Sequence, residues 1–294
     1  MFNELQIPKT IKGIVWYPYT RADFSRIRDL IYEFAGISLA ESKCNLVYSR
    51  IARRVKTLNL ESFADYVRLI ETPGVPERQY FVNALTTNIT QFFRENHHFP
   101  ILAAAMKSIA ARSKNVNIWS AGCSTGEEAY SIAITAIETF GNGTPPVRIY
   151  ATDIDTSVLN SARAGEYNLE NVVGLDVERQ RRFFLTGTGS NTGLIKALPP
   201  LQRLIDFQQQ NLCEASWALP TRFDIIFCRN VMIYFNAPTQ DRIVQRFAES
   251  LTPDGLLFTG HSESFHYARG RADVFRTEGK SVVRLVRPPG RIKR

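Results

Sequence analysis

The chain has 294 residues, enough for about two domains. Its 44% hydrophobic and 22% charged content suits a globular protein, and no apolar run approaches the ~20 residues needed to cross a bilayer. The net charge of +8 suggests an acidic partner, which leaves nucleic acid, anionic lipid and acidic protein surfaces open.

Cys44, Cys123, Cys213 and Cys228 are widely spaced with no CxxC pair, which argues against zinc and against a disulfide framework. His97, His98, His261 and His266 form no HxxxH or HExxH pattern, so no metal is expected. The N-terminal stretch MFNELQIPKT lacks the basic-then-apolar layout of a signal peptide, and the expected location is a reducing cytoplasm.

Residues 1–85 read as an all-helical domain. Thr20 with Asp23 is a start signal, and Phe24, Ile27, Leu30, Ile31 and Phe34 follow at helical spacing until Gly36. A second helix from about Ser42 carries Val47, Ile51, Val55 and Leu58 as its apolar stripe. Ser62 caps a third, with Phe63, Tyr66, Val67 and Ile70, which TPGVP ends. No acidic residue lies between Lys43 and Glu61, and Arg50, Arg53 and Arg54 share one helix face there. A charged face is usually just solvated, but an unbroken single-sign run invites a negative partner.

Residues 86–294 read as a second, α/β domain. Helical pattern from Arg78 to about Ala111 is interrupted by TTNITQFFRENHHFP, a polar, aromatic and basic segment placed where an active-site cover can be built. Next, VNIWSAGCSTGEEAYSIAI reads as a strand, a small-residue turn and a helix opening on Glu127 and Glu128. Gly122 and its small neighbours let a ligand lie against the backbone. A phosphate-binding turn would carry Lys after the last glycine, but here Glu127 follows Gly126, so pyrophosphate is repelled. A ligand with a cationic centre and hydroxyls, such as S-adenosylmethionine, suits the turn better. On this stretch alone an ordinary βα turn reads equally well, its carboxylates stabilising the helix start.

The strand Val147–Thr152 ends in Asp153 and Asp155, where a ribose hydroxyl pair would be gripped, although ~30 residues beyond the turn rather than the ~20 of the dinucleotide fingerprint. A helix follows over Ser157–Ala164. Strand-like pieces near Phe183–Thr186, Leu194–Leu198 and Arg203–Gln208 predict a small antiparallel β insertion at about 183–208, with a long crossover loop as the alternative. Pro199 and Pro200 fall where that insertion needs continuous pairing, which proline cannot support. Phe223–Cys228 is the next parallel strand, with Arg229 and Asn230 at its ligand-binding end. A helix over Asp241–Leu251, strand Leu256–Thr259 and a final strand Val282–Val286 complete the pattern, ending on a hairpin pair. The tail RPPGRIKR is expected to be disordered.

Together TTNITQFFRENHHFP, WSAGCSTGEEAYSIAI, ATDIDTSVL, FDIIFCRNVMIYF and PDGLLFTGHSESF resemble the chemotaxis receptor methyltransferases, the CheR family, in order and over nearly the whole chain. The resemblance implies a Rossmann-like S-adenosylmethionine-dependent methyltransferase domain with a small antiparallel β insertion, plus an N-terminal all-helical domain. The activity it implies is methylation of glutamate side chains on bacterial chemoreceptors. It implies that Asn88, Thr90 and Arg94 touch the cofactor, with Arg94 facing the transfer site, that Glu128 and Asp153 are further contacts, and that Asn211 and Leu212 flank the adenine. Arg229 and Asn230 would lie beneath the methyl donor and Tyr234 near the acceptor. The basic face with Arg50, Arg53 and Arg54 would meet the receptor's methylation helix, and the β insertion corresponds to a subdomain that in some members docks a receptor tether peptide. A monomer, with no nucleic-acid partner and no membrane insertion, is expected.

The chemistry agrees with a carboxylate acceptor. A glutamate side chain has a reference pKa of about 4.3, so near neutral pH it is already a nucleophile and needs no general base. The sequence offers no evident Ser-His-Asp or Cys-His set. A nucleic-acid methyltransferase would be expected to carry [DN]PP[YF] where CRNVMIY stands, a dehydrogenase to carry GxGxxG after a strand, and a silent cofactor sensor to have lost Arg94, Asp153 or the glycine turn.

Overall fold

The computed structural model describes residues 17–141, 144–172, 174–263 and 274–286. The chain divides into two units, residues 1–87 with Tyr234–Asn236, and residues 88–233 with 237–294. The division falls two residues beyond the expected boundary at 85, and three residues from far along the chain join the first unit. The expectation for RPPGRIKR lies outside the described residues.

The first unit holds α1 (Arg21–Ala35), α2 (Cys44–Thr57), α3 (Phe63–Glu71) and α4 (Glu77–Leu85). The capping box that opens α1 is formed in full. Asp23 N donates to Thr20 Oγ1 at 3.2 Å, and Thr20 N donates to Asp23 Oδ2 at 2.8 Å. Gly36 ends the helix at φ 70°, a left-handed conformation that glycine adopts without strain. Ile27, Ile31, Val47, Ile51, Val55, Phe63, Ile70 and Phe81 are buried and form this unit's core. Glu77 is buried with them at 7% exposure, and the Arg54 guanidinium grips it twice, Nε to Oε1 at 2.8 Å and Nη2 to Oε2 at 2.7 Å. Tyr66 OH donates to the same carboxylate at 2.9 Å. Such bidentate pairing makes a buried carboxylate tolerable.

The second unit is built on a seven-stranded sheet. In chain order its elements are α5 (His98–Ala110), β1 (Val116–Ala121), α6 (Glu127–Phe140), β2 (Val147–Asp153), α7 (Thr156–Ala164), β3 (Glu166–Asn168), α8 (Val177–Phe183), β4 (Phe184–Thr186), β5 (Leu194–Ala197), α9 (Pro199–Gln202), β6 (Ile205–Gln209), β7 (Phe223–Cys228), α10 (Ala237–Ser250), β8 (Leu251–Thr259), β9 (Phe275–Gly279) and β10 (Val282–Leu285). The main sheet runs β6-β2-β1-β7-β8-β10-β9, parallel from β6 to β8 and then antiparallel through the closing hairpin. Apolar runs such as FDIIFC suit strands covered on both faces, and Ile118, Trp119, Ile225, Phe227 and Phe258 are fully buried. The chain leaves β1 towards β2 on one side and later returns to β7 on the other. The open end between them is the topological switch point where doubly wound sheets bind ligands.

The β insertion differs from expectation at both ends. Its sheet is β3-β5-β4, so it begins at Glu166 and ends at Ala197. The third expected piece is instead β6, which pairs parallel with β2 and buries Phe207 in the main core. Pro199 and Pro200 open the short helix α9, where a missing N–H costs nothing, so they break no ladder.

Candidate active site

Three segments meet at the open end of β1, β2 and β7. The turn after β1 is left-handed at Gly122 (φ 92°), Ser124 (φ 51°) and Gly126 (φ 97°). A Cβ on Gly122 would lie 2.3 Å from Val231 Cγ2, so the glycine's bareness is used by the segment after β7 packing onto the turn. It is not simply open room for a ligand.

A closed ring of hydrogen bonds ties this turn to the end of β2. Ser124 N donates to Asp153 Oδ2 at 2.8 Å, Asp155 N donates to Asp153 Oδ1 at 3.0 Å, Asn88 Nδ2 donates to Asp155 Oδ2 at 2.7 Å, and Ser124 Oγ donates to the Asn88 carbonyl at 3.0 Å. Asp155 also caps α7. Backbone N–H groups of Asp155, Ser124 and Ile154 bond the Asp153 carboxylate, whose four lone-pair sites leave room for a further donor. Burial pushes the Asp153 carboxyl up to about 6. Gln210 N donates to the Asp153 carbonyl at 3.0 Å, which sets Asn211 and buried Leu212 just beyond β6 on the same side.

The second cluster centres on Arg229, 6% exposed at the end of β7. Its Nη1 lies 3.4 Å from Glu128 Oε2 and its Nε 3.8 Å from Glu95 Oε2. Its Nη2 donates to the Arg94 carbonyl. Glu128, in the first turn of α6, also accepts from Ser120 Oγ at 2.7 Å, and its carboxyl is raised chiefly by burial, against which Arg229 pulls it down. Arg229 is therefore a buried counter-ion set between Glu128 and Glu95. The Arg94 backbone lies between two left-handed residues, Phe93 (φ 51°) and Glu95 (φ 53°). A bulky residue there is strained, typically by about 1–3 kcal/mol, and such strain collects at functional sites. It is held by the Phe93 N–H to Ser131 Oγ bond at 2.9 Å and by Phe93 packing on Phe99. The Arg94 guanidinium folds over this turn and donates to the Ile89 carbonyl at 3.0 Å. Thr90 is half-buried in the same segment.

The donor set fits S-adenosylmethionine. Asp153, Glu128 and Asn230 offer acceptors, and Asn230 Oδ1 is buried with no hydrogen-bond partner among the described residues. An acceptor-rich pocket suits a ligand bearing hydroxyls, an ammonium and a positive centre, and rejects phosphate. Glu95, His97 and His98 bring potential metal-ligand atoms within 4.8 Å of one another, yet Arg229 already supplies positive charge beside Glu95.

Other sequence-derived candidates fall in the helical unit. Tyr234 OH donates to the Thr87 carbonyl at 3.4 Å and the Tyr234 carbonyl accepts from Ser38 N at 2.8 Å. Of the basic trio only Arg53 is exposed. Arg54 is committed to Glu77, and Arg50 Nη1 donates to the carbonyls of Ala84 and Thr86. Arg53 is thus the most open of the three, while half-buried Arg50 and Arg54 also bond within their own unit. Sequence reasoning passed over Ser120 and Glu95. Ser120 lies in the last part of β1, before the turn, and a polar residue at the open end of an apolar strand was the available signal.

Residues 22–86 match the family model described as CheR methyltransferase, all-alpha domain, and residues 88–281 match CheR methyltransferase, SAM binding domain. The chain is 50% identical over 276 residues to chemotaxis protein methyltransferase 2 of Pseudomonas aeruginosa, covering 94% of this chain and 97% of that one. It is 45% identical over 265 residues to the chemotaxis protein methyltransferase of Escherichia coli, covering 90% and 91%. The chain belongs to the CheR methyltransferase family.

Proposed function

We propose that the chain transfers methyl groups from S-adenosylmethionine to glutamate side chains in the cytoplasmic domain of methyl-accepting chemoreceptors. The products are glutamate methyl esters and S-adenosylhomocysteine. The observation that carries this reading is an acceptor-rich turn beside Arg94, whose backbone lies between two left-handed residues. Among the described residues nearby, burial lowers His98 to about 3 and pushes the Cys123 thiol up, so neither is poised to take a proton near neutral pH. A carboxylate acceptor needs none.

Asn88, Thr90, Arg94, Gly122, Glu128, Asp153, Asn211, Leu212, Arg229 and Asn230 form the cofactor site, which when filled supplies a methyl group on a positively charged sulfur. Asp153 takes the ribose hydroxyls on its remaining acceptor capacity, and Asn211 with Leu212 flanks the adenine. Glu128 offsets the ligand's positive charge, and Arg229 acts through Glu128. Arg94 turns from the Ile89 carbonyl to hold the acceptor carboxylate by a bidentate pair, stripping water and aligning it. Tyr234 hydrogen-bonds the acceptor without removing its charge.

Arg53, with Arg50 in support, meets the acidic methylation helix of the receptor, an attraction that weakens with salt. In the β insertion, β3 and β4 are both edge strands and Leu185 is 56% exposed, a surface suited to adding a tether peptide as a further strand. No helix among the described residues is long and apolar enough to cross a membrane, and the enzyme works as a cytoplasmic monomer on a membrane-bound substrate. Peptide mapping of receptor incubated with the enzyme and S-adenosylmethionine tests this: added methyl groups belong on glutamates, and modification confined to other side chains contradicts it.

A further inference from the structure

Glu263, 3% exposed, has no counter-ion among the described residues, and backbone amides satisfy its carboxylate. Oε2 accepts from Asn230 N at 2.8 Å and from Gly260 N at 2.7 Å, while Oε1 accepts from Met232 N at 2.9 Å. A lone buried carboxylate is expensive, and convergent N–H donors are what make it tolerable. Two of these donors belong to the segment after β7 that carries Asn230, itself left-handed at φ 60°.

We propose that Glu263 is a positioning residue for the cofactor site, a backbone clamp that holds Asn230 in its strained conformation and seats Val231 on the Gly122 turn. Two close approaches show that the clamp has no slack. A Cβ on Gly260 would lie 2.6 Å from Glu263 Oε2 and 2.8 Å from Asn230 Nδ2, and a Cβ on Gly122 would lie 2.3 Å from Val231 Cγ2. The carboxylate thus joins the end of β8, the end of β7 and the glycine turn into one rigid wall. Glutamine keeps the shape but turns an NH2 towards N–H groups, leaving donors facing each other. Gly260→Ala pushes against the same carboxylate from the other side.

The proposal rests on Asn230 being a cofactor contact, which Asn230→Ala tests separately. S-adenosylhomocysteine is titrated calorimetrically into the full chain and its Glu263→Gln, Gly260→Ala, double and Asn230→Ala variants. Cofactor and receptor KM are measured beside kcat. The clamp predicts that Glu263→Gln weakens S-adenosylhomocysteine binding about tenfold, the size of one lost charge-assisted hydrogen bond. It also predicts a raised cofactor KM at unchanged receptor KM, and a double variant no weaker than the weaker single one. Wild-type affinity in Glu263→Gln beside a weakened Asn230→Ala overturns the clamp alone, as do strictly multiplicative losses in the double variant or an equal rise in receptor KM. Wild-type affinity in Asn230→Ala removes the reading of Asn230 beneath it.

Discussion

Arg229 Nη1 lies 3.4 Å from Glu128 Oε2, so a guanidinium at the end of β7 neutralises a carboxylate at the start of α6. The pair spans the switch point of the sheet, and the same arginine holds Glu95 and the Arg94 carbonyl. The fold and the proposed cofactor site therefore share one buried cation. Replacing Arg229 with methionine leaves two carboxylates without it, a change that typically costs about 3–5 kcal/mol. Urea denaturation of the Arg229→Met chain should show a loss of that order together with loss of cofactor binding. An unchanged midpoint would show that Glu128 and Glu95 are satisfied by water.

The Asp153 carboxyl is pushed up to about 6 by burial from its ordinary 3.8, so the proposed ribose grip should make cofactor affinity depend on pH. In the free protein its folded-state pKa is the higher one. Its contribution to stability is therefore full below the ordinary value and is lost as pH rises through about 6. Ribose hydroxyls bond to the ionised form and pull the pKa down on binding. S-adenosylhomocysteine affinity should therefore rise as pH passes through about 6 and level off above it, and the rise should flatten in Asp153→Asn. A flat wild-type profile would remove Asp153 from the grip.

Arg94→Ala should lower methyl transfer at least ~100-fold, the scale of a misaligned reacting pair. Its guanidinium makes an exposed bond to the Ile89 carbonyl and lies in the field of Glu128, so the thermal midpoint should move by no more than a few degrees. Wild-type turnover in this variant would end its assigned role.

Arg53 and Arg54 are adjacent in sequence and opposite in consequence. Arg54→Ala strands the buried Glu77 and should destabilise the helical unit by about 3 kcal/mol or more. Arg53→Glu should leave stability unchanged and raise the receptor KM, most strongly at low salt. Equal destabilisation by both substitutions would contradict this division.

Features with local chemistry were legible in the sequence. The glycine turn, the acids after β2 and the Arg229–Asn230 pair all sit at strand ends, where side-chain type and chain position are enough to suggest a ligand. What was not legible depends on partners far along the chain. Nothing near Arg54 in sequence says that Glu77 and Tyr66 will enclose it. Nothing within the piece Arg203–Gln208 says that β2 rather than β5 is its neighbour. Pro199 and Pro200 read as breaks in pairing only if the β insertion continues to Gln208; as the start of α9 they obey the ordinary preference for proline. Glu263 lies within PDGLLFTGHSESF, but two of the amides it gathers, those of Asn230 and Met232, come from the segment after β7.

The most direct measurement is transfer of radiolabelled methyl from S-adenosylmethionine to chemoreceptor-containing membranes, followed by mild alkaline treatment. The account predicts label on the receptor that alkali releases as methanol, the behaviour of a carboxyl ester. Label that resists alkali, or label found only on added nucleic acid, would contradict it.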